Sequence, residues 1–162
     1  MLKAIMAVDE DGGVSRSGSM PWPKHHIDLK WFKKHTLNQV VIMGRLTWID
    51  PKMPTPLPNR INILVTGKSP LLFPGADSYI SGNLNTDVIK VINKYEKLEK
   101  WVIGGPKTID QLFDLIDTFF ITRIYGNFKC DKKLDLQKVQ QNMRLDKKIE
   151  GDKSCHFEIW KK

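Results

Sequence analysis

Long hydrophobic runs are missing from this 162-residue sequence. No stretch approaches the roughly 20 apolar residues that a helix needs to cross a bilayer. The opening segment, MLKAIMAVDEDGG, runs straight into a strand-like pattern without the apolar region and cleavage site of a secretory leader. A cytoplasmic protein without a membrane partner is the expectation. Cysteine is scarce as well: Cys130 and Cys155 are the only two, and neither lies in a CxxC or a His/Cys cluster. Both thiols are therefore expected to be free and reduced, and no metal is expected. The adjacent pair His25-His26 does not change this, because neighbouring side chains point different ways. Repeats, low-complexity tracts and linkers are absent too, which fits one domain over residues 1–162. GxGxxG does not occur, so the usual dinucleotide fingerprint is excluded.

Acidic residues are outnumbered, 18 Asp and Glu against 26 Lys and Arg, for a net charge of +8. Such a surface attracts anions, whether nucleic acid, phosphorylated cofactors or carboxylate substrates, although a solvated Lys-rich surface accounts for the charge alone. The lysines are spread along the chain rather than stacked on one helix face, which argues against nucleic acid.

The remaining pattern is one of short apolar runs. Leu2 to Val8, VVIMG at 40–44, INILVT at 61–66, WVIGG at 101–105, FFITRIY at 119–125 and CHFEIW at 155–160 read as strands. Helices are expected over His26 to His35 and Thr86 to Lys97. A third is expected from Pro106, carrying Ile109, Leu112, Phe113 and Ile116. Asp9 to Lys24 reads as a long loop of the kind that serves as a lid. Asp50 to Asn59, with four prolines, reads as a rigid excursion. Alternating strands and helices predict an α/β fold around a mostly parallel sheet of about eight strands with flanking helices. No clear helix separates the last two strands, so they are expected to close the sheet as an antiparallel hairpin.

Ligands of such sheets bind beyond the carboxyl ends of the strands. Two glycine turns stand there, Gly44-Arg45-Leu46-Thr47 and Gly104-Gly105-Pro106-Lys107, each before a helix. Glycine lets backbone N–H groups approach an anion. Arg45, Lys68 and Lys107 could add charge for a phosphate. Either turn alone is equally an ordinary chain reversal. Asp28 is the more informative residue. At helical spacing it shares a face with Trp31 and Phe32. Such an acid is either turned out to water, which spacing alone favours, or set in an apolar wall where a donor must pair with it.

MPW at 20–22, Asp28 with Leu29 and Phe32, VIMGRLTW at 41–48, PLPNR at 56–60, VIGG at 102–105 and Thr122 follow one another as in chromosomal-type bacterial and phage dihydrofolate reductases, and the chain resembles that family over nearly its whole length. The resemblance implies reduction of 7,8-dihydrofolate to tetrahydrofolate by hydride from NADPH, with N5 protonated from solvent. It also implies antifolate inhibitors, a role in one-carbon metabolism and a monomer. Asp28 would accept from the 2-amino group and the adjacent ring nitrogen of the pterin. Thr122 would steady that carboxylate, Trp22 would hold a water, and Met20 would belong to the closing loop. Ile5, Ala7, Leu29, Phe32, Leu57 and Ile103 would form the apolar substrate walls, and Arg60 would pair with the glutamate tail. Cofactor contacts would come from Ala7, Ser19, Met20, Gly44, Arg45, Leu46, Thr47 and Thr66. Lys68, Ile103, Gly104, Gly105, Lys107, Thr108 and Ile109 would complete them.

The chain departs from the family pattern in five respects. Ile109 stands where Tyr is usual, Ser15 where Gly is usual, and Asp50 where Ser is common; one extra residue precedes Asp28 within the His25-His26 segment, and the loop from Asp50 to Thr55 is longer and richer in Pro than usual. Two rivals remain at this stage: an NADPH-dependent pyrimidine reductase of riboflavin synthesis, which shares the fold, and a basic nucleic-acid-binding domain. Asp28 and Arg60 argue against the first. The second lacks surface aromatics among its lysines.

Overall fold

The computed structural model describes residues 1–162. In chain order the elements are β1 (Leu2–Val8), β2 (Gly13–Ser15), α1 (His26–Thr36), β3 (Val40–Gly44) and α2 (Arg45–Trp48). Then come β4 (Ile61–Val65), β5 (Ser78–Ile80), α3 (Leu84–Lys94), β6 (Lys100–Gly104) and α4 (Pro106–Leu112). β7 (Ile116–Ile124), β8 (Lys132–Lys133), α5 (Leu136–Asn142), β9 (Arg144–Asp152) and β10 (Cys155–Lys161) complete the chain. Eight strands form one sheet in the order β5-β4-β3-β6-β1-β7-β10-β9. Strands β5 to β7 in that order are mutually parallel, and β10 and β9 close the sheet antiparallel. The expected α/β architecture is thus observed. No helix is long and apolar enough to cross a membrane.

Apolar side chains leave β1, β3 and β6 on both faces, as a doubly covered parallel sheet requires. Val40 and Ile42 join Leu2, Ala4 and Val8 in the larger core beneath α3, α4 and α5. Val41 and Met43 point the other way, to Ile5, Trp101 and Phe120 beneath α1.

Several elements differ from the sequence reading. Ile116 begins β7 rather than ending a helix, because α4 stops at Leu112 and a 3-10 turn, Phe113–Leu115, turns the chain into the strand. The antiparallel closure is present, yet α5 and β9 intervene between β7 and β10. Strand β9 is an edge strand exposed over most of its length, so RLDKKIEGD carries no apolar alternation; its charges suit an edge that must not recruit another chain. Inside the loop expected over Asp9 to Lys24, β2 pairs with β8 in a separate two-stranded sheet. Three residues are too few to show a period, and the same holds for β5.

Helix α1 lies against an aromatic cluster. The Trp31 ring stacks on Phe157 at 4.3 Å, and the His35 ring meets Trp31 edge-on at 4.4 Å and Phe120 at 4.8 Å. His35 Nε2 is buried without a hydrogen-bond partner. Burial chiefly, with help from Lys34 and Lys3 against Glu99, holds the imidazole below its ordinary pKa. The unfolded chain therefore binds a proton more readily than the folded one. Stability contributed by the neutral ring is lost as pH falls through the ordinary histidine range near ~6.5. The urea midpoint is expected to drop between pH 7.5 and pH 5.5, and to drop less in His35→Leu. Equal drops in the two proteins would exclude His35 as the cause.

Candidate functional site

A single large cleft of about 1080 Å³ opens at the carboxyl ends of the parallel strands. Its floor is the last residues of β1, β3, β4 and β6. Helix α1 forms one wall, the residue 50–58 loop another, and the lid segment between β1 and α1 lies across it.

Asp28 stands in the first turn of α1, buried yet lining the cleft. Ile5, Ala7, Leu29, Phe32, Leu57 and Ile103 line the same region, so the carboxylate sits in a largely apolar wall. Burial pushes the Asp28 carboxyl above its ordinary pKa, while Thr122 and His25 act in the opposite direction. Thr122 reaches this place because β7 pairs with β1 in a register that sets it beside Ala7. Its hydroxyl oxygen is fully buried and makes no hydrogen bond of regular geometry. Its effect on Asp28 is therefore that of a nearby dipole rather than a closed hydrogen bond, and a buried donor and acceptor remains free beside the carboxylate.

The opposite end of the cleft is built from glycine. The ends of β3 and β6 approach so closely that a Cβ on Gly44 would stand 2.5 Å from Thr108 Oγ1, and one on Gly104 would stand 2.8 Å from Thr47 Oγ1. Each strand end thus packs its glycine against the threonine that follows the other. Neither Gly44 nor Gly105, which precede α2 and α4, provides a side-chain cap, so early N–H groups remain available, from Arg45 onward in α2 and, since Pro106 has none, from Lys107 onward in α4. Arg45, Leu46, Thr47, Thr66, Lys68, Lys107 and Thr108 line this end. Over the whole cleft eight Lys and Arg side chains face three Asp, which suits an anionic ligand. A cradle that a Cβ would fill, free N–H groups and surrounding cations fit a dinucleotide carrying phosphates.

Arg60 lies at the cleft mouth. Its guanidinium donates to Pro58 O at 2.9 Å and to Thr36 Oγ1 at 3.3 Å, and sits 5.9 Å over the Phe32 ring. The turn that carries it is held by Asn62, which accepts from Leu57 N and donates to Leu57 O. Nothing in the sequence pattern marked Asn62, since a buried amide in a strand has no local signature.

The lid is tied down at several points. Buried Asp9 accepts from the N–H groups of Asp11, Gly13 and Phe128. Although burial acts to raise its pKa, these bonds hold it below the ordinary value. Ser17 N–H donates to Asp131, Ser19 Oγ donates to Asp50, and Lys52 Nζ donates to the Met20 carbonyl at 2.6 Å and the Trp22 carbonyl at 3.3 Å. Met20 lines the cleft; Trp22 is buried behind it, edge-on to Phe128. Lys52, Lys132 and Lys133 also line the cleft and were not among the expected residues. Lys52 lies in the proline-rich loop already marked as unusual, but β8 becomes a wall only through its pairing with β2.

Five expected residues do not line the cleft itself: Ser19, Trp22, Gly104, Thr122 and Ile109. The first four lie directly behind its wall, through the bonds and contacts given above. Ile109 is different. It is fully buried in the core under α4 and lines a separate pocket of about 280 Å³ with Phe113 and Val139.

Comparison with known proteins gives a consistent result. The family described as dihydrofolate reductase matches residues 1–161. A dihydrofolate reductase type 9 of Escherichia coli is 30% identical, covering 98% of this chain and 92% of its own. The dihydrofolate reductase of Bacillus subtilis (strain 168) is 33% identical over 82% of this chain and 74% of its own. That of Rattus norvegicus is 31% identical over 85% and 81%.

Proposed function

The chain belongs to the dihydrofolate reductase family and reduces dihydrofolate, and we propose that it does so in the cleft between Asp28 and Lys68, with NADPH as the hydride donor. The observation that carries the site is the buried carboxylate of Asp28 in an apolar wall, beside a free Thr122 hydroxyl. A carboxylate in that setting is unfavourable until a ligand donates to it. The pterin offers two parallel N–H donors, from its 2-amino group and ring nitrogen, and Asp28 accepts both. Thr122 completes the set from behind. Leu29, Phe32, Leu57 and Ile103 hold the flat ring and exclude water, and Arg60 meets the glutamate carboxylate at the mouth.

When bound, NADPH supplies the hydride that reduces C6 of the dihydropterin. Gly44, Gly105, Thr47 and Thr108 would hold it, with Arg45, Lys68 and Lys107 compensating its phosphates. The protein's part is alignment in a site poor in water. A solvent proton reaches N5 past Met20, where the lid meets the cleft. Ile109 takes no part in this reading, because its side chain points into the core.

Loss of NADPH absorbance on adding dihydrofolate tests the reaction. Cofactor choice is tested separately. Arg45 and Lys68 follow adjacent strands β3 and β4 and face the same end of the cleft. Replacing both by Gln is expected to weaken NADPH roughly tenfold or more while changing NADH little, since each charge-assisted bond to the extra phosphate is worth about 1.5–3 kcal/mol. Fluorescence titration with both cofactors measures this. Equal weakening would remove the two residues from recognition of the 2′-phosphate.

A further inference from the structure

The extra residue before Asp28 has a use that the reaction itself does not explain. Helix α1 is capped by His25, not by the usual short Ser, Thr, Asp or Asn. His25 Nδ1 accepts from the backbone N–H of Asp28 at 3.2 Å. That contact fixes the tautomer: Nδ1 carries the lone pair, and Nε2 carries the hydrogen. Nε2 lies 2.8 Å from Ser154 Oγ and donates to it. Ser154 Oγ in turn donates to Asp152 Oδ1 at 2.5 Å, and Ser154 N–H reaches the same oxygen at 2.7 Å. Donor directions agree along the whole line, from the Asp28 amide to the Asp152 carboxylate.

A short cap would satisfy the helix end but could not reach Ser154. The imidazole does both. We propose that His25 is a positioning residue: it ties the first turn of α1, and with it Asp28, to the turn between β9 and β10 through the Ser154 hydroxyl. Trp31 on Phe157 and His35 on Phe120 hold α1 further along; the link adds a hydrogen-bonded hold at the first turn, where Asp28 stands. The Thr122 hydroxyl makes no hydrogen bond of regular geometry, so the place of the carboxylate in the cleft wall depends on where the first turn of α1 sits. The β9–β10 hairpin is joined through β10 to β7, the strand that carries Thr122. The tether therefore holds Asp28 and Thr122 to one frame.

His25, Asp152 and Cys155 also offer ligand atoms within 4.8 Å of one another. A neutral imidazole that binds a metal through Nε2 carries its hydrogen on Nδ1, which would break the bond from the Asp28 N–H, so the cap and a metal on Nε2 exclude each other.

The inference rests on Asp28 being the substrate carboxylate, so its test has one arm that needs no substrate. In the ligand-free protein, Ser154→Ala frees the imidazole, and exchange of the Asp28 amide with solvent is expected to quicken at least threefold. With substrate, Ser154→Ala and His25→Asn are each expected to raise KM for dihydrofolate roughly three- to tenfold, the worth of one hydrogen bond, with a smaller change in kcat. His25→Asn keeps a good cap, so a role confined to capping predicts wild-type KM there. The double variant is expected to be no worse than either single one, because both cut the same link. Wild-type amide exchange in Ser154→Ala overturns the tether. So does a double variant whose loss is the product of the two single losses.

Discussion

Asp28→Asn is expected to lower turnover of dihydrofolate by about 10- to 100-fold while raising the melting temperature of the ligand-free protein at neutral pH. The kinetic part follows from hydrogen-bond direction. A carboxylate accepts from two N–H donors of the pterin; an amide of the same size presents its own NH2 to one of them, at a cost of about 1–3 kcal/mol. The stability part follows from burial, which pushes the Asp28 carboxyl up. Because the folded state holds this proton more tightly than the unfolded one, stability is greatest below the unfolded pKa and declines as pH rises through the folded one. Asn cannot ionise and escapes that decline. The melting-temperature gap between the two proteins should therefore be largest at neutral pH and close below about pH 4, the ordinary Asp range. Thermal unfolding from pH 3.5 to 8, beside steady-state kinetics, measures both effects. A variant with wild-type turnover, or one that gains no stability at any pH, would place Asp28 outside the pterin site or in water.

His35 responds in the opposite sense, since the ring is held neutral and its contribution fades in acid. The two buried groups on α1 thus give opposing slopes. His35→Leu and Asp28→Asn together separate them, for the side chains lie two turns apart on the helix.

Much of this was open to inspection in the primary structure because the site grows from strand ends. β1, β3 and β6 are buried on both faces, and continuous apolar runs such as VVIMG betray them. The residues that follow then fall at the cleft by topology alone, as Gly44, Arg45 and Thr66 do. Asp28 was ambiguous by spacing, and only the resemblance chose the apolar wall over water; the fold places it in that wall. Features made by pairing between distant segments were not legible. Lys132 and Lys133 enter the cleft wall because β8 pairs with β2, more than a hundred residues away. Nothing local marked His25 as a tether, because Ser154, its partner, lies 129 positions on. Ile109 lies in the core for a different reason: a position after a glycine turn can face the cleft or the core, and an aliphatic side chain takes the core.

Gly104→Ala is the substitution expected to damage the fold most, and the reason can be divided into two parts. Gly104 has φ of +136°, a conformation that residues with a Cβ rarely adopt. Forcing Ala there costs about 1–3 kcal/mol before any contact is considered. The added Cβ would also stand 2.8 Å from Thr47 Oγ1 and 3.3 Å from Met6 Cε. The Met6 methyl is the end of a flexible side chain and can move. Thr47 is fixed in the short helix α2, so the strand end or the helix must shift, and both belong to the proposed cofactor cradle. The melting temperature is expected to fall by roughly 5 °C or more, taking 2–4 °C per kcal/mol for a chain of this size, and NADPH binding should weaken with it. Gly105→Ala is the control for the fold. Its φ is −80°, and the nearest atom to its Cβ is Thr47 Oγ1 at 3.8 Å, so stability should change little even if the cofactor is affected directly. Thr47→Ala in the Gly104→Ala background then removes the hydroxyl and separates the two costs. Partial recovery of melting temperature measures the collision with Thr47, and what remains lost measures the backbone strain. A Gly104→Ala protein as stable as its Gly105→Ala counterpart would mean that the strand end relaxes freely, and that the close approach of the β3 and β6 ends does not constrain the site.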